Sequence, residues 1–345
     1  MGNLEYSFDN ILKSYIDTGI QLTDHQVNLI SSNKNMAKTY IRKRAIALKK
    51  TGFKDNSNRP IILSDKELEL FKKYDKKIYD GYMNYLSNLE VLWLNDNNLT
   101  TLPESIGNLT NLERLYLQNN QLTTLPESIG NLTKLKGLNL QNNQLTTLPE
   151  SIGNLTNLEV LYLQTNELTT LPESIGNLTN LERLYLNNNQ LTTLPESIGN
   201  LTNLERLDLY SNQLTTLPES IGYLTKLKWL ELQNNQLTNL EGIKNLTNLE
   251  WLLLSNNELT SLKGIENLTN LERLNLRDNK LTTLPESIGN LTNLKLLRLA
   301  DNNLTTLPEG IGNLTNLTRL YLDNNKLSPK ERERIKKLLP DTKIY

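Results

Sequence analysis

Apolar residues recur with one fixed spacing through most of the chain. The pattern Leu-x-x-Leu-x-Leu-x-x-Asn returns eleven times between residues 89 and 327, at intervals of 22 or 23 residues. The stretch around the second and third leucines alternates apolar and polar residues, which is the period of a half-buried strand. In most copies a Leu-Pro-Glu-Ser-Ile-Gly segment follows, with proline where a short helix begins and glycine where it ends. Each copy therefore predicts one strand and about one turn of helix, of the 3₁₀ kind.

A single copy has too few apolar residues to close a core of its own. Successive copies bury these positions against one another, so several repeats must stack before a core exists. The sequence predicts a solenoid whose strands form one parallel sheet, with about 4.8 Å between neighbouring strands. The first copy contributes seven apolar positions, Leu89, Leu92, Leu94, Leu99, Leu102, Ile106 and Leu109.

One asparagine stands at the ninth position of every copy, counted from its first leucine. A side-chain amide has two donors and an acceptor, so it can bridge adjacent turns where the backbone leaves the strand. The eleven residues are Asn97, Asn120, Asn143, Asn166, Asn189, Asn212, Asn235, Asn257, Asn279, Asn302 and Asn325.

These residues closely resemble the leucine-rich repeat family, without a break from residue 89 to residue 327. The resemblance implies an α/β solenoid with a curved parallel sheet on its concave face, short 3₁₀ turns on its convex face, and a buried asparagine ladder. Most copies are similar to the 23-residue type of plant intracellular and many prokaryotic proteins. Two copies lack the proline and one residue, at residues 237–248 and 259–270. They are similar to the 22-residue type of phosphatase-1 regulators and internalins, and we expect a different local curvature there.

The two ends of the chain differ from the repeats. Residues 1–88 carry amphipathic stretches that predict helices near residues 6–16, 23–32, 35–50 and 64–86. All three phenylalanines of the chain, Phe8, Phe53 and Phe71, lie in this segment, so we expect a small α-helical N-terminal domain that covers the first repeat. Residues 328–345 predict a C-terminal cap, with a helix over residues 329–339 that Pro340 ends and a tail that adds to the sheet.

Charge is unevenly distributed along the chain. Residues 1–88 carry a net charge of +5, residues 89–327 carry −9 and residues 328–345 carry +3. The acidic repeats make nucleic acid an unsuitable partner, and no apolar run approaches the roughly 20 residues that span a bilayer. One basic run falls within a predicted helix, and we interpret it as a solvated helix face: Lys34, Lys38, Arg42, Lys43, Arg44, Lys49 and Lys50.

The sequence offers little for catalysis. His25 is the only histidine, there is no cysteine, and neither phosphate-binding glycine motif is present. We therefore expect no enzyme and no cofactor. Asp278 and Asp301 share a repeat position in neighbouring copies, with Asp323 close by, and stacked carboxylates can bind Ca²⁺. Interleaved Arg277 and Arg298 can neutralise them instead, and we expect that pairing rather than a metal site.

Features of the sequence also bear on the compartment. Residues 1–10 have neither the basic nor the apolar region of a secretory signal. Asn-x-Thr sequons recur along the repeats, and a eukaryotic secretory protein would carry a glycan on nearly every turn. Without cysteine, the disulfide-bonded caps typical of extracellular family members cannot form. We expect a cytoplasmic protein, of prokaryotic origin.

Differences between the copies concentrate at the third, fifth, seventh and eighth positions. The third, fifth and seventh point away from the buried leucines, so they form the concave face. Trp, Tyr and Arg are enriched there, and these residue types dominate interface hot spots. Trp229 and Trp251 are neighbours in one column of the two short repeats. The predicted protein-binding residues are Trp93, Tyr116, Tyr162, Tyr185, Arg206, Tyr210, Trp229, Glu231, Trp251, Leu253 and Arg273.

The sequence favours a non-enzymatic scaffold that binds a protein partner through the concave face. Its partner is a protein of unknown identity, with no nucleic acid and no membrane, and we expect a monomer. Two alternatives stay open: a regulatory subunit of a signalling enzyme (phosphatase, GTPase or kinase), and a secreted effector or adhesin of a bacterium.

Overall fold

The structure, a computed structural model, describes residues 30, 34–51, 54, 63 and 65–345. The predicted helix over residues 6–16 lies outside the described residues, as does the one over 23–32 apart from Ile30. Phe8, His25 and Phe53 also lie outside them.

Each repeat contributes one short strand to a single open sheet. Within the described residues, twelve parallel strands stand side by side in chain order. Equivalent repeat positions pair across every step, as Leu92 pairs with Leu115. The predicted solenoid is confirmed. The strands are β1 Val91–Trp93, β2 Arg114–Tyr116, β3 Gly137–Asn139, β4 Val160–Tyr162, β5 Arg183–Tyr185, β6 Arg206–Asp208, β7 Trp229–Glu231, β8 Trp251–Leu253, β9 Arg273–Asn275, β10 Leu296–Arg298, β11 Arg319–Tyr321 and β12 Lys343–Ile344.

The leucines behave as their spacing predicts. The central leucine of each strand is fully buried, while the residues on either side of it face solvent to varying degrees, as in Arg183, Leu184 and Tyr185 of β5. The buried side chains form one continuous core that runs from Ile30 to Leu339. No repeat has a core of its own, so each is stable only through its neighbours.

Short 3₁₀ helices cover the convex side, as predicted. Pro103 stands one residue before the first helix in an extended conformation, and its carbonyl accepts the Ile106 N–H, so the prediction that proline occupies the first helical position was wrong. The two short repeats keep only three residues, Ile243–Asn245 and Ile265–Asn267. Eight other repeats have five, Glu104–Asn108, Glu127–Asn131, Glu150–Asn154, Glu173–Asn177, Glu196–Asn200, Glu219–Tyr223, Glu286–Asn290 and Glu309–Asn313.

The repeated glycine lies inside the 3₁₀ helix rather than at its exit. A Cβ on Gly153 would stand 2.5 Å from the Ser174 carbonyl oxygen of the next repeat. Close approach between successive convex segments therefore requires glycine here. A positive φ, which the helix-exit interpretation implied, is found instead at Gly242 and Gly264 of the short repeats.

From the second repeat onward, the ninth-position asparagines connect successive turns through their side chains. The prediction was wrong for Asn97 of the first repeat, which has no preceding repeat to bridge and whose Nδ2 donates only to the Asn95 carbonyl, at 2.8 Å. Asn189 Nδ2 donates to the Leu186 carbonyl of its own repeat and to the Leu163 carbonyl of the preceding repeat, each at 3.0 Å. Its Oδ1 accepts the Leu168 N–H at 3.0 Å. The same three contacts recur from Asn120 to Asn325. Each amide thus pairs backbone carbonyl and N–H groups that the short strands leave without a hydrogen-bond partner.

A second row of contacts runs along the convex side. The carboxylate of Glu150 accepts the backbone N–H of Ser174 at the start of the next 3₁₀ helix, at 3.3 Å. Carboxylates are favourable at such N–H groups because they neutralise unpaired donors. In the N-terminal segment Asp65 takes the place of this glutamate, and accepts from the N–H groups of Glu104 and Ser105 at 2.8 and 2.9 Å.

Three α-helices precede the repeats in the described residues: α1 Lys34–Thr51, α2 Asp65–Tyr74 and α3 Lys76–Ser87. The single helix predicted over residues 64–86 is thus two helices. Asp75 separates them with φ −149°, and its side chain accepts the Ile78 N–H at 3.2 Å as an N-cap. An N-cap residue leaves the helical conformation, which interrupts the run.

The N-terminal helices bury charge as well as apolar surface. The Tyr40 hydroxyl donates to Glu67, and Arg44 Nε lies 3.8 Å from the same carboxylate. Glu67 and Arg44 are both buried. The interpretation of the basic run as one solvated face was therefore wrong for Arg44, which points inward, whereas its six other members are exposed.

The C-terminal cap is built as predicted, with helix α4 at Pro329–Leu338. Ser328 Oγ accepts the Glu331 N–H at 3.1 Å, and β12 extends the sheet beside β11. The Glu331 carboxylate accepts the Leu307 N–H and the Thr306 hydroxyl, both at 2.9 Å, and pairs with Arg334. The bond from Arg334 lowers the pKa of Glu331 to about 2.

Replacing Asn189 with alanine should lower the free energy of unfolding by about 1–3 kcal/mol, because it leaves buried backbone groups of two repeats unpaired. The control is Asn180→Ala, an exposed asparagine whose side chain makes one bond, to the Thr156 carbonyl. Urea unfolding monitored by circular dichroism measures both. Equal losses in the two variants would contradict the role assigned to the ladder.

Gly153→Ala should destabilise the chain by about 1–3 kcal/mol, since the added methyl overpacks the convex side. Gly137→Ala is the matched control, because its Cβ would meet nothing closer than Arg114 Cγ at 3.8 Å. There the loss of unfolded-state freedom should leave stability unchanged or raise it by up to about 1 kcal/mol. Thermal melts of both variants measure the effects. If Gly153→Ala leaves the stability unchanged, the convex segments can separate to accommodate the methyl group.

Glu331→Gln should destabilise the C-terminal cap at pH 7. The pKa of Glu331 falls from 4.5 to about 2 on folding, so its stabilisation is present above pH 4.5 and is lost as the pH falls towards 2. The gap between wild type and variant in urea titrations should therefore be larger at pH 7 than at pH 3. Glu333→Gln, at an exposed carboxylate that contacts only Lys336, should show no such trend.

Candidate protein-binding surface

The concave face consists of the third, fifth and seventh residues of each repeat. The third and fifth lie in the strands on either side of the buried leucine, and the seventh lies two residues beyond the end of the strand. Neighbouring strands pair in register, so residues at one position form a straight column about 4.8 Å apart. In β2–β11 the backbone of the third and fifth residues is paired with a strand on either side, which makes this part of the face a rigid platform.

Two tryptophans form the centre of this face. Trp229 and Trp251 are register partners on β7 and β8, and both are half-buried. Leu253 lies beside them on β8, also half-buried. The Arg273 guanidinium, on β9, lies 4.1 Å from the Trp251 ring centroid, a distance typical of a cation–π contact. The four side chains make one apolar patch with a cationic border.

A charged cluster borders the tryptophans on β6 and β7. Arg206 holds Asp208 through two bonds, at 2.9 and 3.0 Å, and holds Glu231 at 2.9 Å. Burial raises the pKa of Asp208, the Arg206 hydrogen bond opposes that rise, and the Glu231 charge adds to it. The hydrogen bond to Asp208 raises the pKa of Arg206. Arg206 is thus held by two carboxylates of its own chain.

The sequence analysis did not identify Asp208 as part of this surface. In the structure it is a buried member of the charged cluster, with only 3% of its surface exposed. The Arg-x-Asp spacing on one strand, with Glu231 in the same column of the next copy, was the signal that could have identified it. Two residues apart on a strand means the same face, and the same repeat position means adjacent strands.

Stacked aromatic rings continue the face on the N-terminal side. Tyr162 and Tyr185 stack with ring centroids 4.8 Å apart, and the Arg206 guanidinium lies 5.5 Å from the Tyr185 ring. Tyr210 follows β6, also half-buried. Nine predicted residues therefore form one surface across β4–β9: Tyr162, Tyr185, Arg206, Tyr210, Trp229, Glu231, Trp251, Leu253 and Arg273.

Two other predicted residues form a separate patch. Trp93 and Tyr116 stack at 6.0 Å on β1 and β2, and 51% of Trp93 is exposed. Gly137 and Asn139 of β3 interrupt the aromatic column between this pair and Tyr162. A third stack, Tyr321 with Tyr345 at 4.5 Å, lies at the other end of the sheet.

Among the aspartates considered for Ca²⁺, Asp301 has internal partners. Arg277 Nε lies 2.8 Å from Asp301, which also accepts from Asn324. Arg298 does not pair with them and lies over Tyr321, 5.3 Å from the ring centroid. In the part of the chain that the structure describes, no three His, Cys, Asp or Glu residues are grouped to hold a metal ion. None of the described helices combines the length and apolar character needed to cross a membrane.

Two protein-family models match the chain. The family described as "Leucine-rich repeat region" matches residues 127–192, 184–258 and 252–339. The family described as "Leucine Rich repeats (2 copies)" matches residues 87–130. Together they span the repeats and most of the C-terminal cap, and neither describes an enzyme. A comparison with curated proteins found no match.

Solved structures similar to this chain come from bacteria and plants. A leucine-rich repeat protein of Leptospira interrogans is 38% identical, over 84% of this chain and 88% of that chain, with a TM-score of 0.48. An internalin of Listeria monocytogenes is 27% identical, over 76% and 88%, with a TM-score of 0.53.

The ectodomain of the plant membrane receptor kinase GASSHO1/SCHENGEN3 from Arabidopsis thaliana, in complex with Casparian strip integrity factor 2, is 32% identical, with a TM-score of 0.60. The match covers 74% of this chain but only 35% of that one. Repeat pattern, fold and family models agree: the chain belongs to the leucine-rich repeat family.

Proposed function

We propose that the protein is a non-enzymatic scaffold that binds a protein partner through its concave face, centred on Trp229, Trp251 and Leu253. One observation carries the proposal. Two tryptophans lie side by side on a rigid sheet, half-buried and facing solvent, where neither is needed for the core formed by the leucines on the other face. Removing an apolar surface of this kind from water lowers the free energy, so covering it favours binding of a partner.

The geometry reduces what binding costs. Each aromatic side chain stands on a strand paired on both sides, and a Trp or Tyr side chain has only two rotatable bonds to order. Beside Trp229, three hydrogen bonds join Arg206 to Asp208 and Glu231. These charged groups are therefore in position before a partner binds. Because this face is already ordered, little conformational entropy is lost when a partner binds.

Comparison with relatives supports the proposal. The similar plant ectodomain was solved in complex with Casparian strip integrity factor 2. Family resemblance alone assigns no partner to this chain.

The proposal includes a cytosolic location, because the sequons recur on nearly every turn and no cysteine is present. Fractionation of the source organism tests that location, and it also separates the scaffold from a secreted effector or adhesin. Co-purified phosphatase, GTPase or kinase activity would favour a regulatory subunit.

Trp229→Ala combined with Trp251→Ala should weaken binding of the partner at least tenfold, which corresponds to about 1.4 kcal/mol. The partner is captured from a lysate of the source organism with the wild-type chain, and its affinity is then measured with purified components. Central aromatic side chains carry a large share of the binding energy at protein interfaces, so truncation of both should weaken the complex markedly.

Trp93→Ala is the matched control, since Trp93 is more exposed and lies six strand steps from the nearer tryptophan of the pair, Trp229 on β7. It should change the affinity by less than about threefold. If the double variant retains the wild-type affinity, the partner binds elsewhere and the N-terminal helices become the next surface to test.

A further inference from the structure

Arginine and lysine are separated by face within the repeats. Residues 89–327 contain seven arginines and nine lysines. Every one of the seven arginines occupies a third, fifth or seventh position and so lies on the concave face, whereas none of the nine lysines does. A simple need for positive charge would not distinguish the two residue types. Arginine differs because its planar fork binds a carboxylate through two bonds and stacks on aromatic rings.

Most of these arginines have no acidic partner. Arg206 and Arg277 are held by carboxylates of the chain. The other five, Arg114, Arg183, Arg273, Arg298 and Arg319, are exposed and form no ion pair within the described part of the chain. Lysines beside the face are paired instead, as Lys228 is with Glu205 at 3.1 Å. All five arginines of the repeats that lack an ion pair thus lie on the face proposed to bind.

One column gives these arginines a defined spacing. Arg183, Arg206, Trp229, Trp251 and Arg273 are successive register partners across β5–β9. The two unpaired arginines therefore bracket the tryptophans and stand four strand steps apart, or about 19 Å at about 4.8 Å a step. An extended chain covers that distance in about six residues, at roughly 3.3 Å each.

We propose that the partner presents an extended acidic segment that crosses β5–β9, with carboxylates on Arg183 and Arg273 about six residues apart and apolar side chains over the tryptophan pair between them. This inference rests on the proposed function. It narrows the partner to a class of polypeptide sequence, and it assigns the two arginines as specificity determinants. The cation–π contact of Arg273 with Trp251 orients one guanidinium for this role.

Charge next to the column favours a protein segment over nucleic acid. The residues directly before the third position carry carboxylates on four of these five repeats, at Glu182, Glu205, Glu250 and Glu272. Asp208 and Glu231 lie within the face itself. A phosphate backbone has a negative charge at every nucleotide and would meet these carboxylates, whereas a polypeptide can place its acidic residues only opposite the arginines.

The test is selection of displayed random 12-residue peptides on the immobilised full chain. Enriched peptides should carry two Asp or Glu residues about six apart with apolar residues between them. Their affinities, measured by fluorescence anisotropy, should fall at least tenfold for Arg183→Gln/Arg273→Gln and should weaken with salt. Arg183→Lys/Arg273→Lys keeps the charge but not the fork, and should lie between wild type and the Gln variant.

Lys244→Gln/Lys263→Gln is the matched control, because it removes the same charge from two exposed residues of the convex side. Its affinity should stay within about twofold of wild type. Equal urea midpoints verify that all variants fold.

Enriched peptides that are neutral, and that lose affinity with the tryptophan variant but not the arginine variant, would overturn this inference and leave the proposed function intact. Absence of enrichment, or enrichment indifferent to both variants, would contradict the two together. Displacement of an acidic peptide by a dT12 oligonucleotide at equal concentration would also overturn the inference, since it would show a phosphate site.

Discussion

The structure depends on how one repeat satisfies the backbone of the next. A strand of three residues is too short to pair all the polar groups of a 23-residue turn, and those groups lie next to a core of leucines where an unpaired donor or acceptor is costly. The ninth-position asparagine resolves this by bonding to two carbonyls and one N–H across two repeats. Convex glutamates and Asp65 do the same for the 3₁₀ helices. Stacking is therefore fixed in register, and the straight columns of the concave face follow from it.

Much of this could be predicted because the pattern repeats. Eleven copies give eleven chances to see that leucines and asparagines are fixed while four positions change, and strand periodicity then assigns three of those positions to one face. The strands, the convex turns and the C-terminal cap follow from local chemistry of this kind. Residues 34–87 have no repeat to average over, so the break at Asp75 and the inward turn of Arg44 depended on tertiary contacts that the pattern does not contain.

The errors on the convex side have a similar origin. Glycine there was interpreted as a helix exit, but its role comes from the next repeat, whose Ser174 carbonyl would lie 2.5 Å from a Cβ on Gly153. Asp208 was missed for the same reason: its importance lies in Glu231 and Arg206 around it rather than in its own position. Contacts between repeats decide the function of a residue here, and reading each copy alone does not show them. The Arg206 cluster and the tryptophan pair belong to one surface only because β6, β7 and β8 are in register.

Intrinsic fluorescence tests the central claim, that a partner covers the tryptophan pair, most directly. The chain has three tryptophans, so a Trp93→Phe variant reports on Trp229 and Trp251 alone. With the captured partner at saturation, acrylamide should quench this emission much less than in the free protein, and the emission maximum should move to shorter wavelength as water is excluded. If quenching and emission are unchanged while the partner is demonstrably bound, the tryptophans are not in the interface and the account of the concave face is wrong.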